Sequence, residues 1–272
     1  MTTAFRGRVA VCAPCPEQRG AATRRPCPCA VALSALLLLL PPLAGAQVPA
    51  DVTAASWGFL WAKFRGDYSV QERVAQYRRS VEIRLRPWVE AAGLRYPPAQ
   101  LALVAFKDTR RLELYGRMSP ADAWTHVRTY PILGASGRAG PKLAEGDQQV
   151  PEGRYVVESL NPNSRFHLSL RLDYPNGFDR RMAAMEGRTN LGGGIAIHGS
   201  VGSSGCLAVG NAAAEDLFVL SALVPGGRVQ VVIAPADLRD DEAVVDASAH
   251  PAWVASLYAT LREELRQFVR RY

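Results

Sequence analysis

The chain has 272 residues, 48% hydrophobic and 21% charged, with a formal net charge of +7. That suits one sizeable globular domain with extensions, or two small ones, and excludes a disordered or fibrous chain. Much of the charge sits at the start: Arg6, Arg8, Arg19, Arg24, Arg25 and a single acid, Glu17, fall in the first 46 residues, and without them the balance is +3. So small an excess suits work near an anionic wall and argues against a nucleic-acid partner, because the remaining Lys and Arg form no basic stripe with interleaved aromatics.

In chain order, Arg24 and Arg25 precede an apolar run, Val31 to Leu40, followed by Pro41, Pro42 and Ala44-Gly45-Ala46. A positive flank, a short apolar run and a small-x-small site describe a secretory signal peptide over residues 1–46. Ten apolar residues are about half of what a bilayer-spanning helix needs. The expectation is therefore an exported protein of the periplasm or cell envelope, with no stable membrane span once the leader is cut. An uncleaved anchor is the alternative, and the long stretch before the run leaves room for a start downstream of Met1. Cys12, Cys15, Cys27 and Cys29 all lie in this leader, so the mature part keeps one cysteine, Cys206. A lone cysteine in an exported protein forms no internal disulfide and is either an inert core residue or a reactive thiol.

Residues 47–99 read as a helical extension, with Val70, Val74, Tyr77, Val81, Leu85 and Trp88 forming a stripe at helical spacing. Tyr96-Pro97-Pro98 ends it, since a residue before proline is pushed out of the helical basin. Residues 100–234 change to strands. Leu101 to Phe106, then Leu112 and Leu114 beyond a polar turn, read as a hairpin, and Gly153 to Leu160 as a further strand. Phe166, Leu168, Leu170 and Leu172 alternate with polar residues, Ile195 and Ile197 lead into His198, and Val229, Val231 and Ile233 close the series. One helix interrupts them, Ala212 to Leu223, with Asn211 as its predicted N-cap. Residues 235–272 read as a linker followed by a helix from Pro251, whose Trp253, Leu257, Leu261, Leu265 and Phe268 face the body. The fold class predicted is thus mainly β with α extensions (α+β): a β-rich domain with one packed helix, flanked by N- and C-terminal helices.

The chemistry is concentrated in Ile197-His198-Gly199-Ser200-Val201-Gly202-Ser203-Ser204-Gly205-Cys206. A free thiol is only a few per cent thiolate at neutral pH, and a neighbouring imidazole that takes its proton makes it a competent nucleophile. A strand ending at His198, then a Gly- and Ser-rich turn, can bring Cys206 back beside it. The N–H groups of Gly205 and Cys206 are candidates for an oxyanion hole, and acyl transfer through a thioester follows. One cysteine and scattered histidines supply no zinc ligand set, and no cofactor is predicted. Gly192 to Gly194 lack the strand-then-helix setting of a dinucleotide site. Ser203 and Ser204 lack a nucleophile-elbow setting, and Ser203 reads as a turn residue or a polar contact near the thiol. His126 and His250 read as surface residues, and His167 as lining the groove or facing solvent.

This string resembles the L,D-transpeptidase catalytic-domain family, the YkuD-like fold, whose His-Gly pair and Ser-x-Gly-Cys motif are matched by His198-Gly199 and Ser203-Ser204-Gly205-Cys206. Ala105-Phe106-Lys107, Leu112-Glu113-Leu114-Tyr115, Gly146-Asp147, Pro151-Glu152-Gly153-Arg154-Tyr155 and Tyr174-Pro175-Asn176 also look like that family, especially its YafK-like branch. The resemblance implies a nucleophile at Cys206, a general base at His198, an oxyanion N–H at Gly205, and substrate contacts at Gly199, Ser203, Ser204, Tyr174 and Asn176. It implies peptidoglycan stem peptides as substrate, attacked between their third and fourth residues, with 3→3 cross-linking or protein attachment as the outcome. Two departures stand out: many members carry a second histidine where this chain has Ser204, and an arginine where it has Ala208. The branch shares the second departure and is associated with hydrolysing the link between peptidoglycan and an outer-membrane lipoprotein. A cysteine amide hydrolase and a non-catalytic wall-binding module therefore remain as alternatives.

Overall fold

Ser69 starts the first helix. Its hydroxyl accepts the Glu72 N–H and the Glu72 carboxylate accepts the Ser69 N–H, a reciprocal box that satisfies two of the orphan donors at a helix start. The structure, a computed structural model, describes residues 67–240, 248 and 250–269. The predicted leader over 1–46, its four cysteines and most of the predicted linker lie outside the described residues.

From Ser69 the helix, α1, runs Val70–Ala91. Val81, Leu85 and Val89 are buried, Val70, Val74 and Tyr77 pack on the same core, but Trp88 is 51% exposed. The predicted stripe thus drifts off Trp88 to Val89, the neighbour that continues the Val81–Leu85 row at i+4 spacing. α1 lies against α3 (Asn211–Leu223), where Arg84 pairs with Glu215 at 3.0 Å and with Asp216 at 2.8 Å. Leu85 is fully buried in this contact layer. Leu85→Ala is expected to destabilise the protein by about 2–5 kcal/mol, the usual cost of a leucine-sized core cavity. Urea unfolding checks this, and a loss under about 1 kcal/mol would mean the site collapses around the gap or that α1 is peripheral to the cooperative unit.

Eight strands form one sheet in the order β3-β2-β1-β8-β4-β5-β6-β7. They are β1 (Gln100–Phe106), β2 (Arg111–Arg117), β3 (Thr125–Pro131), β4 (Gly153–Asn161), β5 (Ser169–Leu172), β6 (Ala196–His198), β7 (Leu207–Ala208) and β8 (Val229–Ala234). β1 pairs β8 and β6 pairs β7 in parallel; the other pairs are antiparallel. The unbroken apolar run of β1 has a physical reason: both its faces are covered. Leu101, Leu103 and Ala105 join the core shared with α1 and α3, while Ala102, Val104 and Phe106 join a second core under α4 (Trp253–Leu265). In that second core Leu257, Leu261, Leu265 and Phe268 are buried, so the C-terminal helix packs on the sheet.

Four local expectations are corrected. The alternation from Phe166 forms a strand only from Ser169, because His167 sits at φ +79°, outside the extended region. Asn211 is not the N-cap of α3; Gly210 holds that position, and the Asn211 side chain accepts the Ser200 N–H instead. The domain holds a second packed helix, α2 (Gly177–Met185), capped by Asn176. His126, read as a surface residue, lies half-buried in β3 and meets Tyr115 edge-on, with ring centroids 5.4 Å apart. β3 escaped notice because Thr125-His126-Val127-Arg128-Thr129-Tyr130 buries only Val127 and Tyr130, one edge strand face half wet.

The sheet curls. Beyond β3, Gly134 bridges Ala208 of β7, with Ala208 N–H donating to Gly134 O at 2.8 Å and Gly134 N–H to Ala208 O at 3.2 Å. Its two edges therefore meet, and the loop after β3 lands beside the turn that carries Cys206. Only a glycine fits there, since a Cβ on Gly134 would lie 2.1 Å from the Val201 carbonyl oxygen.

Candidate active site

Parallel pairing of β6 with β7 sets Ile197 opposite Leu207 and His198 opposite Ala208. Continued one residue back, that register places Cys206 beside Ala196. Alternation then divides the strand pair: Ile197 and Leu207 point into the core, and His198 and Cys206 share the other face. Diagonal neighbours on one face of adjacent strands have Cβ atoms roughly 7 Å apart, a gap an imidazole can bridge.

His198 Nδ1 lies 2.6 Å from the Gly199 carbonyl oxygen. A carbonyl only accepts, so Nδ1 carries the proton and the Nε2 lone pair is left as the basic site. Nε2 has no hydrogen-bond partner among the described residues. The ring stacks on Phe166 at 4.6 Å and 25°. Burial holds its pKa below the ordinary histidine value, opposed by the Gly199 carbonyl. Gly199 is a steric necessity: a Cβ would lie 2.6 Å from the Phe166 carbonyl oxygen and 2.7 Å from Asn211 Oδ1.

Cys206 is half-buried, and its thiol reaches only the Gly194 carbonyl, at 3.8 Å. Burial pushes the thiol pKa above its ordinary value, while the Ala196 amide and the positive charge of Lys142 pull it back. The approach to the sulfur is open on one side, because Gly193 and Gly194 are exposed and have nothing within 4 Å of a Cβ position. Burial thus disfavours the charged form of both groups, raising the thiol and lowering the imidazole. A recess of about 460 Å³ between α4 and the β4–β8 pair contains neither group.

The other sequence-predicted residues separate by role. Gly205 N–H donates to Ser136 Oγ at 2.6 Å, and Cys206 N–H to Ser203 Oγ at 3.0 Å, so both amides already have a hydroxyl partner. Ser204 is exposed and makes no side-chain hydrogen bond among the described residues. Tyr174 is buried and its O–H donates to the Leu191 carbonyl at 3.1 Å, tying down the loop that leads to Gly192–Gly194. Asn176 caps α2 through the N–H groups of Phe178 and Asp179. His167 is half-buried, with its Nε2 meeting Glu215 at 3.0 Å and its ring meeting Tyr77 edge-on.

Three neighbours escaped the sequence reading. Phe166 was seen only as a strand residue. Lys142, 7% exposed, is held by Asp147 at 2.7 Å and the Ala144 carbonyl at 2.7 Å; its one available signal was its place four residues before the quoted Gly146-Asp147. Ser136 carried no signal, since only closure of the sheet brings it to Gly205.

Residues 102–233 match the family profile of the L,D-transpeptidase catalytic domain, YkuD. The Escherichia coli (strain K12) protein named "Putative L,D-transpeptidase YafK" is 36% identical over 140 residues, covering 50% of this chain and 54% of YafK. The chain thus spans about half the length of the curated relatives it matches. Among solved structures, the helical cell shape determining protein Pgp2 of Campylobacter jejuni is 23% identical with a TM-score of 0.40, covering 64% of this chain and 60% of that one. Bd1075 of Bdellovibrio bacteriovorus is 22% identical with a TM-score of 0.38, covering 62% and 55%. The profile match runs from β1 to β8, so the curled sheet over residues 102–233 is matched as an L,D-transpeptidase (YkuD) catalytic domain.

Proposed function

We propose that the protein is a peptidoglycan L,D-transpeptidase in which Cys206 attacks an amide of the stem peptide and holds the acyl group as a thioester. The observation that carries this reading is the shared face of His198 and Cys206, with Nδ1 committed to the Gly199 carbonyl and Nε2 left basic. Nε2 takes the thiol proton as sulfur adds to the carbonyl carbon of the third stem residue. The imidazolium then returns that proton to the leaving amine of the terminal D-alanine. An incoming amine resolves the thioester by the reverse sequence, with Nε2 again accepting the proton. Neutral resting groups favour this order, since a free imidazole is needed at the start and an imidazolium at departure. The leader read over residues 1–46 supports an activity in the cell envelope, where peptidoglycan lies.

Mass spectrometry of products formed from purified tetrapeptide muropeptides and lipoprotein-linked sacculi tests the proposal. Dimers joined 3→3, or exchange of the terminal D-alanine, are the expected result. Tripeptides or released lipoprotein without new cross-links would replace the transpeptidase by a hydrolase using the same thioester. No change in either substrate would remove peptidoglycan as the acyl donor.

A further inference from the structure

Two serine hydroxyls sit on the two backbone amides at the thiol, and they are not equivalent. Ser203 Oγ accepts the Cys206 N–H at 3.0 Å and gives its own proton to the Cys206 carbonyl at 2.5 Å. A serine has a single O–H, so Ser203 has nothing left to donate. Ser136 Oγ accepts the Gly205 N–H at 2.6 Å, and its own proton has no acceptor among the described residues. A hydroxyl that accepts from an amide is polarised toward stronger donation, as in any chain of hydrogen bonds. Ser136 is also held in place from outside the motif. It lies two residues past Gly134, which is locked to β7 by paired backbone bonds with Ala208. Gly205 sits at φ +92°, a backbone conformation that favours glycine.

Resting on the acyl-transfer reading above, we propose that Ser136 is a catalytic residue: its O–H, polarised by the Gly205 N–H, is the donor that stabilises the oxyanion, in place of the Gly205 amide itself. In the step concerned, sulfur forms a bond to the substrate carbonyl carbon and the C=O π pair moves onto oxygen, which accepts a hydrogen bond from Ser136. On collapse that pair re-forms the C=O bond, the C–N bond breaks, and the amine leaves with the proton held by His198. Ser136 keeps its proton throughout, so it adds no acid–base step.

The test compares two reactions of the same thiol in the purified protein. Acetylation of Cys206 by p-nitrophenyl acetate passes through a tetrahedral oxyanion, whereas alkylation by iodoacetamide displaces iodide and has none. Ser136→Ala is expected to slow acetylation by about 10²-fold, the usual loss for one oxyanion donor, and to leave alkylation unchanged. Ser136→Thr, which keeps a hydroxyl, is expected to stay within about fivefold of wild type in both. Equal losses in both reactions, or no loss in either, would overturn the proposal. Faster acetylation in Ser136→Ala would also overturn it, making Ser136 a plug over a Gly205 N–H that itself serves the oxyanion. A wild-type thiol that alkylates but takes no acetyl group would overturn both this assignment and the acyl-transfer reading. If the two reactions separate as expected but muropeptides go unchanged, the substrate class falls and the role of Ser136 stands.

Discussion

Replacing Cys206 with alanine is expected to lower acyl transfer by roughly 10⁴-fold or more while leaving the fold intact. The size of the effect follows from losing the only atom that can hold the acyl group, since no second cysteine exists in residues 47–272 to take its place. The intact fold follows from what the thiol touches: it is half-buried and its hydrogen bond to the Gly194 carbonyl is long, at 3.8 Å. The backbone of Cys206 does the structural work, through its N–H and C=O to Ser203, and alanine preserves both. Turnover of muropeptides beside a urea unfolding curve checks both halves. Wild-type turnover in Cys206→Ala would end the thioester reading; an unfolded variant would show that the sulfur matters to packing.

Replacing His198 with alanine is expected to cost about 10²–10⁴-fold in acyl transfer and to change the shape of the pH profile. In the wild type, base assistance requires neutral imidazole. Burial lowers the His198 pKa, so assistance is present from below the ordinary histidine value near 6.5 and fades as pH falls through the lowered value. The thiol pKa is raised, so without the base the reactive thiolate accumulates only as pH climbs past about 8.5. Iodoacetamide alkylation of His198→Ala should therefore lag near pH 7 and catch up in alkali, while the wild-type rate is already substantial at neutrality. Superimposable profiles would show that Cys206 is not served by His198. The ring also stacks on Phe166, so His198→Gln serves as a second variant that fills more of the space while lacking the imidazole base.

Much of the outline was legible without coordinates. The helical spacing around Val81 and Leu85, the apolar runs of β1, β2 and β8, and the apolar side of α4 all reflect a face that must leave water, and such faces declare themselves by period alone. The ten-residue string from Ile197 to Cys206 was legible for a similar reason: its chemistry is local, with a base, a flexible turn and a thiol close in the chain. Its resemblance to the transpeptidase family named the activity to test. What the string left open was which way its side chains face, and the parallel register of β6 and β7 decides that.

Other features depend on contacts between distant segments, which no local pattern encodes. Asn211 looked like a cap, yet its side chain serves the Ser200 amide because the turn after His198 passes over the start of α3. Phe166 reaches the imidazole because His167, in a left-handed conformation and tied to Glu215, breaks the strand at that point. Lys142 reaches the field of the thiol from 64 positions away, a separation set by numbers 142 and 206 and bridged only by the fold. Ser136 meets Gly205 because the sheet closes from Gly134 onto Ala208. By itself the sequence determined the main core faces and singled out Cys206 and His198 as candidates, since these rest on periodicity and near-neighbour chemistry. Tertiary structure alone decided which hydroxyls, charges and rings surround them, because strand order and sheet closure are set by the packing of the whole chain.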